Sequence, residues 1–307
     1  MNTLRSYTSP NYGGRLGYGI FQWVVRLLGI APAYILLIII VPYYVLIRGS
    51  ARKSAGYYLK HRFPGYSPLR RFLMSFQYFY EYGKVLIDQG AMGILGRERF
   101  HIEFPGERDL FERAREKKGL VLLTSHVGNW QAAMAAMDYL KLPVHFHFQL
   151  EQHTSGRHFF DLSKDRERFH IIPPDTPFGG MIEMTSALTR GECVAIMGDR
   201  SWGARTDDMT FLGEPAPFPI TPYHLAIATG AEIVVLFTVR TGKLSFRIES
   251  LCITEGTDWS KMPKQEATGQ LLHRYGKCLE SYLQKYPLMW FNFFDFWKRN
   301  PQPMDQG

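Results

Sequence analysis

Two short stretches carry the side chains best suited to chemistry. The first, Ser125-His126-Val127-Gly128-Asn129, follows the apolar run GLVLLT and precedes a helix-like stretch opening near Trp130. A histidine at the carboxyl end of a strand, beside a helix start, lies where α/β proteins place ligands. Its imidazole exchanges a proton near neutral pH, Gly128 and Asn129 suit the tight turn, and free amides at a helix start can hold an anion. Alone, such a histidine is more often a solvated loop residue, so its surroundings decide. The second stretch, Gly198-Asp199-Arg200, also follows an apolar run, ECVAIMG, and is expected at the same sheet edge. Asp199 and Arg200 read as an ion pair at a strand end, or as an orienting carboxylate and a phosphate-binding cation. His145, His147, His153, His158 and His170 form a further group. No HExxH or cysteine–histidine spacing accompanies them, and no metal is expected.

The elements that must position these residues alternate. ERDLFERAREKK reads as a helix, GLVLLT as a buried strand, WQAAMAAMDYLK as a helix, PVHFHFQL as a strand, FGGMIEMTSALTRG as a helix ended by glycine and ECVAIMG as a strand. TPYHLAIATG, AEIVVLFTV, KLSFRIE and EATGQLLHRYGKCLESYLQKY follow as helix, strand, antiparallel strand and long helix. Units of this length predict an α/β fold with a central, largely parallel sheet flanked by helices. An aromatic-rich helix over Leu69–Leu95 covers its core.

A chain of 307 residues with 46% hydrophobic and 21% charged residues is neither disordered nor a polytopic membrane protein. Its net charge of +8 favours anionic partners: nucleic acid, acidic lipid or an acidic carrier protein. No nucleic-acid reader motif is present, so nucleic acid is not expected. Cys193, Cys252 and Cys278 lack ligand spacing, which excludes a disulfide framework and a cysteine zinc site.

Leu27–Ile47 is an uncharged run of 21 residues, roughly 31 Å as a straight helix and close to the hydrocarbon thickness of a bilayer. No small-residue cleavage site follows it. We expect a membrane anchor, either one spanning helix or a segment kinked by Pro32 and Pro42 in one leaflet, with a buried core helix as the alternative. Trp23, Tyr34, Tyr43 and Tyr44 suit the interface. Seven Lys and Arg follow between Arg48 and Arg71, whereas only Arg5, Arg15 and Arg26 precede, which places the rest of the chain in the cytoplasm. Residues 1–65 then form the anchor and basic juxtamembrane segment, and 66–307 the α/β domain.

SHVGNW resembles the histidine motif of the bacterial lipid A biosynthesis acyltransferases, within the lysophospholipid acyltransferase superfamily. In that family a histidine is followed five positions later by Asp or Glu, commonly as HxGNWE. VAIMGDRSWG, FLGEPAPFPITPYHLAIATGAEIVVLF, the apolar amino-terminal stretch with its later Leu86-Ile87-Asp88, and the ending YPLMWFNFFDFW continue the resemblance over most of the chain. The resemblance implies a glycerolipid acyltransferase-like fold at a bacterial inner membrane, with the catalytic domain facing the cytoplasm. It implies transfer of a fatty or related acyl chain to a lipid or glycolipid. The donor would be an acyl carrier protein or coenzyme A thioester, a co-substrate with no other cofactor. His126 would be the general base, with Ser125, Gly128, Asn129, Glu151 and Arg200 at the substrates. Phe211 and Gly213 would shape a groove, or form a turn with ordinary packing.

One position departs from the pattern. Five residues beyond His126 stands Gln131, which can hold an imidazole tautomer but brings no charge. Asp199 or Glu151 could supply the carboxylate from elsewhere, or the substrate could help. Otherwise the chain is a non-catalytic lipid- or carrier-binding partner of the same fold. A hydrolase directing the same base at water is a third reading.

Overall fold

A computed structural model describes residues 15–148, 168–200 and 205–298. Strands β2 (Leu120–Thr124), β5 (Cys193–Met197) and β8 (Glu232–Gly242) form the centre of a seven-stranded sheet, since each is an apolar run covered on both faces. Strands β3 (Val144–His147) and β4 (Phe169–Ile172) extend it beyond β5. Strands β9 (Ser245–Cys252) and β1 (His101–Glu103) extend it beyond β8, giving the order β1-β9-β8-β2-β5-β3-β4. The five strands from β8 to β4 are parallel, and β9 is antiparallel to β8, as its sequence suggested. A separate hairpin of β6 (Thr206–Phe211) and β7 (Glu214–Pro219) turns at Leu212 and Gly213.

The period-two alternation of the strands sorts the helices into two layers. Leu120, Leu122, Val234 and Leu236 share a core with α5 (Glu107–Arg115) and the first residue of α6 (Trp130–Ala136). Val121, Leu123, Ile233 and Val235 share the other with α7 (Met181–Thr189), α8 (Thr221–Thr229) and α9 (Lys264–Lys285). The expected α/β architecture with a mostly parallel, helix-flanked sheet is the one that forms.

Ahead of the sheet lie α1 (Arg15–Leu28), α2 (Ile30–Leu46), α3 (Gly49–Arg62) and α4 (Pro68–Leu95). The straight 21-residue spanning helix is not among them. Gly29, at φ 75°, separates α1 from α2, and among the described residues no single helix is long and apolar enough to cross a membrane. Helices α2 and α3 together reach that length and apolarity, bent by 90°. The apolar run is divided by burial as well as by the break. Ile30, Ala33, Leu37, Val41 and Val45 are buried, and Leu37 lies where a Cβ on Gly83 of α4 would meet it at 2.7 Å.

Candidate active site

The register of two strands brings the two predicted stretches together. Thr124 and Met197, the last residues of β2 and β5, pair with each other, and the chain runs two residues past each strand end, to His126 and to Asp199. In parallel strands equal overruns end at the same level, so the imidazole and the carboxylate meet at the carboxyl edge. His126 Nδ1–H donates to Asp199 Oδ1 at 2.9 Å, and the His126 backbone N–H donates to Oδ2, also at 2.9 Å. Two glycines permit the approach. A Cβ on Gly128 would lie 1.9 Å from the Thr238 carbonyl, and one on Gly198 would lie 2.6 Å from Tyr275. Ser125 is buried and shares a hydrogen bond of 2.6 Å with the Tyr275 hydroxyl, which fixes the start of the loop.

Asp199 is 2% exposed and receives a third donor, Trp290 Nε1–H, on Oδ2 at 2.8 Å. Trp290 belongs to the aromatic ending YPLMWFNFFDFW, which lies alongside the histidine loop. Gly128 N–H donates to the Met289 carbonyl and Phe291 N–H to the His126 carbonyl, both at 2.8 Å. Tyr78 of α4 donates to the Trp290 carbonyl at 2.6 Å, and Tyr58 of α3 lies edge-on to the indole. The sequence flagged this aromatic ending without assigning Trp290 a part in the site. The resemblance in that segment was the signal that could have found it.

The electrostatics follow from this enclosure. Burial is the largest influence on His126 and lowers its pKa from the ordinary 6.5; the Arg200 charge lowers it further, while Asp199 opposes both. Burial alone would raise the Asp199 pKa, but the attractions of His126 and Arg200 and the Trp290 hydrogen bond hold it below its ordinary value. The pair is therefore a neutral imidazole and an ionised carboxylate at neutral pH. Because Nδ1 keeps its proton and donates it in a hydrogen bond to Asp199, the free lone pair sits on Nε2. The imidazole side chain keeps 20% exposure, so it is open to a reactant.

Asp199, not Gln131, holds Nδ1. Gln131 is buried in the first turn of α6, and Asn129 is buried just before that helix, where its carbonyl accepts from Ala132 N–H at 3.0 Å. Arg200 is half-buried with its guanidinium over the Phe294 ring, 5.6 Å from the centroid. Phe211 is fully buried, edge-on to Trp290 at 5.3 Å, so it supports the indole from the core; Gly213 sits in the β6–β7 turn. Glu151, His153 and His158 lie outside the described residues. His145 pairs with Glu192 at 2.8 Å and His147 meets the Gly179 carbonyl at 3.0 Å. Among the described residues no cluster of three metal-ligating side chains occurs.

A small apolar cavity of about 40 Å³ lies between α6 and the strands, close to the pair. Trp130, Ala133 and Met137 line one side, and Leu122, Phe146 and Leu236 the other. Its lining includes Thr124 and Met197, each two residues ahead of a member of the pair. The arrangement can accept a proton at Nε2 and stabilise the resulting cation through Asp199, beside an apolar wall.

The model of the bacterial lipid A biosynthesis acyltransferase family matches residues 1–299. The chain belongs to that family. It is thereby an acyltransferase of the lipid A biosynthesis type, as the histidine motif and its companion blocks implied. Comparison with curated proteins finds no match.

Proposed function

We propose that the protein transfers an acyl chain from a thioester of acyl carrier protein or coenzyme A to a hydroxyl or amine of a lipid or glycolipid, with His126 as general base. The single observation that carries this reading is the His126–Asp199 pair at matched ends of adjoining parallel strands. As the acceptor oxygen or nitrogen attacks the thioester carbonyl, its proton passes to His126 Nε2, and Asp199 stabilises the imidazolium. The tetrahedral adduct collapses with cleavage of the C–S bond, and the leaving thiolate takes the proton back from Nε2. An ester, or an amide where the acceptor is an amine, and free thiol result, with no covalent enzyme intermediate. The apolar cavity receives the alkyl chain, Arg200 meets a phosphate, and basic surface residues dock the acidic carrier protein or lipid headgroups. The work is done at the cytoplasmic face of the bacterial inner membrane.

The non-catalytic reading drew on the neutral side chain of Gln131, and a carboxylate at Nδ1 removes that motive. Mass spectrometry of total lipids from cells with and without the protein tests the proposal. A lipid heavier by one acyl group, present only with the protein, identifies acceptor and chain. Identical lipid profiles, together with no transfer by purified protein from either thioester, would sink it.

A further inference from the structure

The face of α2 that does not pack on the domain is apolar and open. Ile35, Ile38, Ile39, Leu46 and Ile47 are between 58% and 72% exposed, and Trp23, Leu27 and Leu28 of α1 continue the surface. Contiguous apolar surface of this kind marks an interaction site. Its charge surroundings specify the partner: residues 1–80 contain ten Lys and Arg and no Asp or Glu. Arg26, which precedes Leu27 and Leu28 in α1, is exposed, as are Lys53 of α3 and Arg70 of α4.

The packing also specifies how that face is used. The buried stripe Ile30, Ala33, Leu37, Val41 and Val45 runs the length of α2, and the Tyr34 hydroxyl donates to the buried Asp88 carboxylate of α4. Phe21 of α1 lies against Gly90 of α4. To cross a bilayer, α2 would have to leave α4, giving up the stripe and the Tyr34–Asp88 bond. The alternative is to carry α4 inside, with Glu81, Lys84 and Asp88, at several kcal/mol.

We propose that α1 and α2 dock the protein in the plane of one leaflet of an anionic bilayer, without crossing it. The exposed isoleucine face sinks about 5–10 Å into the headgroup and acyl boundary, and the arginines and lysines lie among anionic headgroups. The proposal rests on the lipid-directed acyltransferase reading for its choice of a bilayer over a protein partner. In this pose α4 packs on α2 and also reaches the aromatic segment that holds Asp199, through the Tyr78 hydroxyl on the Trp290 carbonyl.

The test uses the full-length protein with vesicles of phosphatidylethanolamine containing phosphatidylglycerol. Wild type should float with them and resist a high-salt wash. The double variant Ile35→Glu/Ile39→Glu should partition at least about 100-fold more weakly, while retaining turnover on detergent-dispersed substrate. In a Cys278→Ser background, Arg26→Cys and Lys60→Cys, exposed before and after α2, should both react with an impermeant maleimide added outside the vesicles. Protection of Arg26→Cys until the vesicles are permeabilised would establish a spanning segment and overturn the proposal, as would wild type that stays unbound. Turnover in detergent reads the catalytic assignment separately. A protein that floats and labels from one side, yet is inactive in detergent, keeps the docking and loses the acyltransferase mechanism.

Discussion

Replacing Asp199 by asparagine changes one atom of a buried group and tests the polarity of the catalytic pair. The carboxylate accepts three hydrogen bonds: His126 Nδ1–H on Oδ1, and His126 N–H with Trp290 Nε1–H on Oδ2. Asparagine has one acceptor oxygen. If that oxygen faces Nδ1, the amide NH₂ is forced against two N–H donors in a buried site. If it faces those two donors instead, the NH₂ donates to Nδ1 and the imidazole proton moves to Nε2, where the base must be empty. The second arrangement satisfies more donors and should prevail. The loss of tautomer and of imidazolium stabilisation together should lower turnover roughly 10³–10⁴-fold, as with other triad carboxylates replaced by amides. That is about 4–5.5 kcal/mol of barrier. The pH profile gives an independent reading. The wild-type base has its pKa lowered below 6.5 by burial and by Arg200, against the pull of Asp199. The rate should therefore be flat near pH 7–8 and fall only on acidification below about 6.5. Removing Asp199 takes away the one influence that raises this pKa, so the acid limb of the variant should move to still lower pH. The assay is kcat/KM for acyl transfer between pH 4.5 and 8.5, roughly two units either side of the ordinary histidine value, on protein whose circular dichroism matches wild type. Turnover within a few-fold of wild type, with an unshifted acid limb, would refute the reasoning.

Gln131→Glu should gain nothing, because Asp199 already holds the Nδ1 proton and burial favours the neutral form of a new carboxylate; a rise of tenfold or more in turnover would return that position to the mechanism. Ala133→Leu should fill part of the apolar cavity and shift donor preference to shorter chains. Each methylene expelled costs about 0.8 kcal/mol, roughly fourfold in kcat/KM, as read by competition among thioesters of different length. Asp88→Asn removes the buried partner of Arg240 and of the Tyr34 hydroxyl. It should destabilise the fold by about 3–5 kcal/mol in urea titration, and a change under about 1 kcal/mol would show that the pair does not tie α2 to the sheet.

The central strands β2, β5 and β8 were legible because a strand buried on both faces must be a continuous apolar run. β1 and β4 are edge strands of three and four residues, too short for a pattern. The exposed strand β6 contains Asp207 and Asp208 and is held by pairing with β7, not by a buried face of its own. Asp199 was legible as a candidate carboxylate. Its partnership with His126 depends on the parallel register of β2 and β5, which no local pattern encodes. The Trp290 hydrogen bond spans 91 positions and is set wholly by tertiary packing. For Leu27–Ile47, composition showed the absence of charge, but it did not separate the stripe that packs on α4 from the face left open.

The account turns on one nitrogen, Nε2 of His126, and the most direct measurement removes it. Purified His126→Ala should keep the wild-type fold and bind the same vesicles, while transferring acyl chains at least about 10²–10⁴-fold more slowly at neutral pH. The lipid heavier by one acyl group should disappear from cells in which the variant replaces wild type at equal abundance. Transfer by the folded variant at a rate near that of wild type would contradict the account, making His126 a structural residue and leaving the reaction to another site.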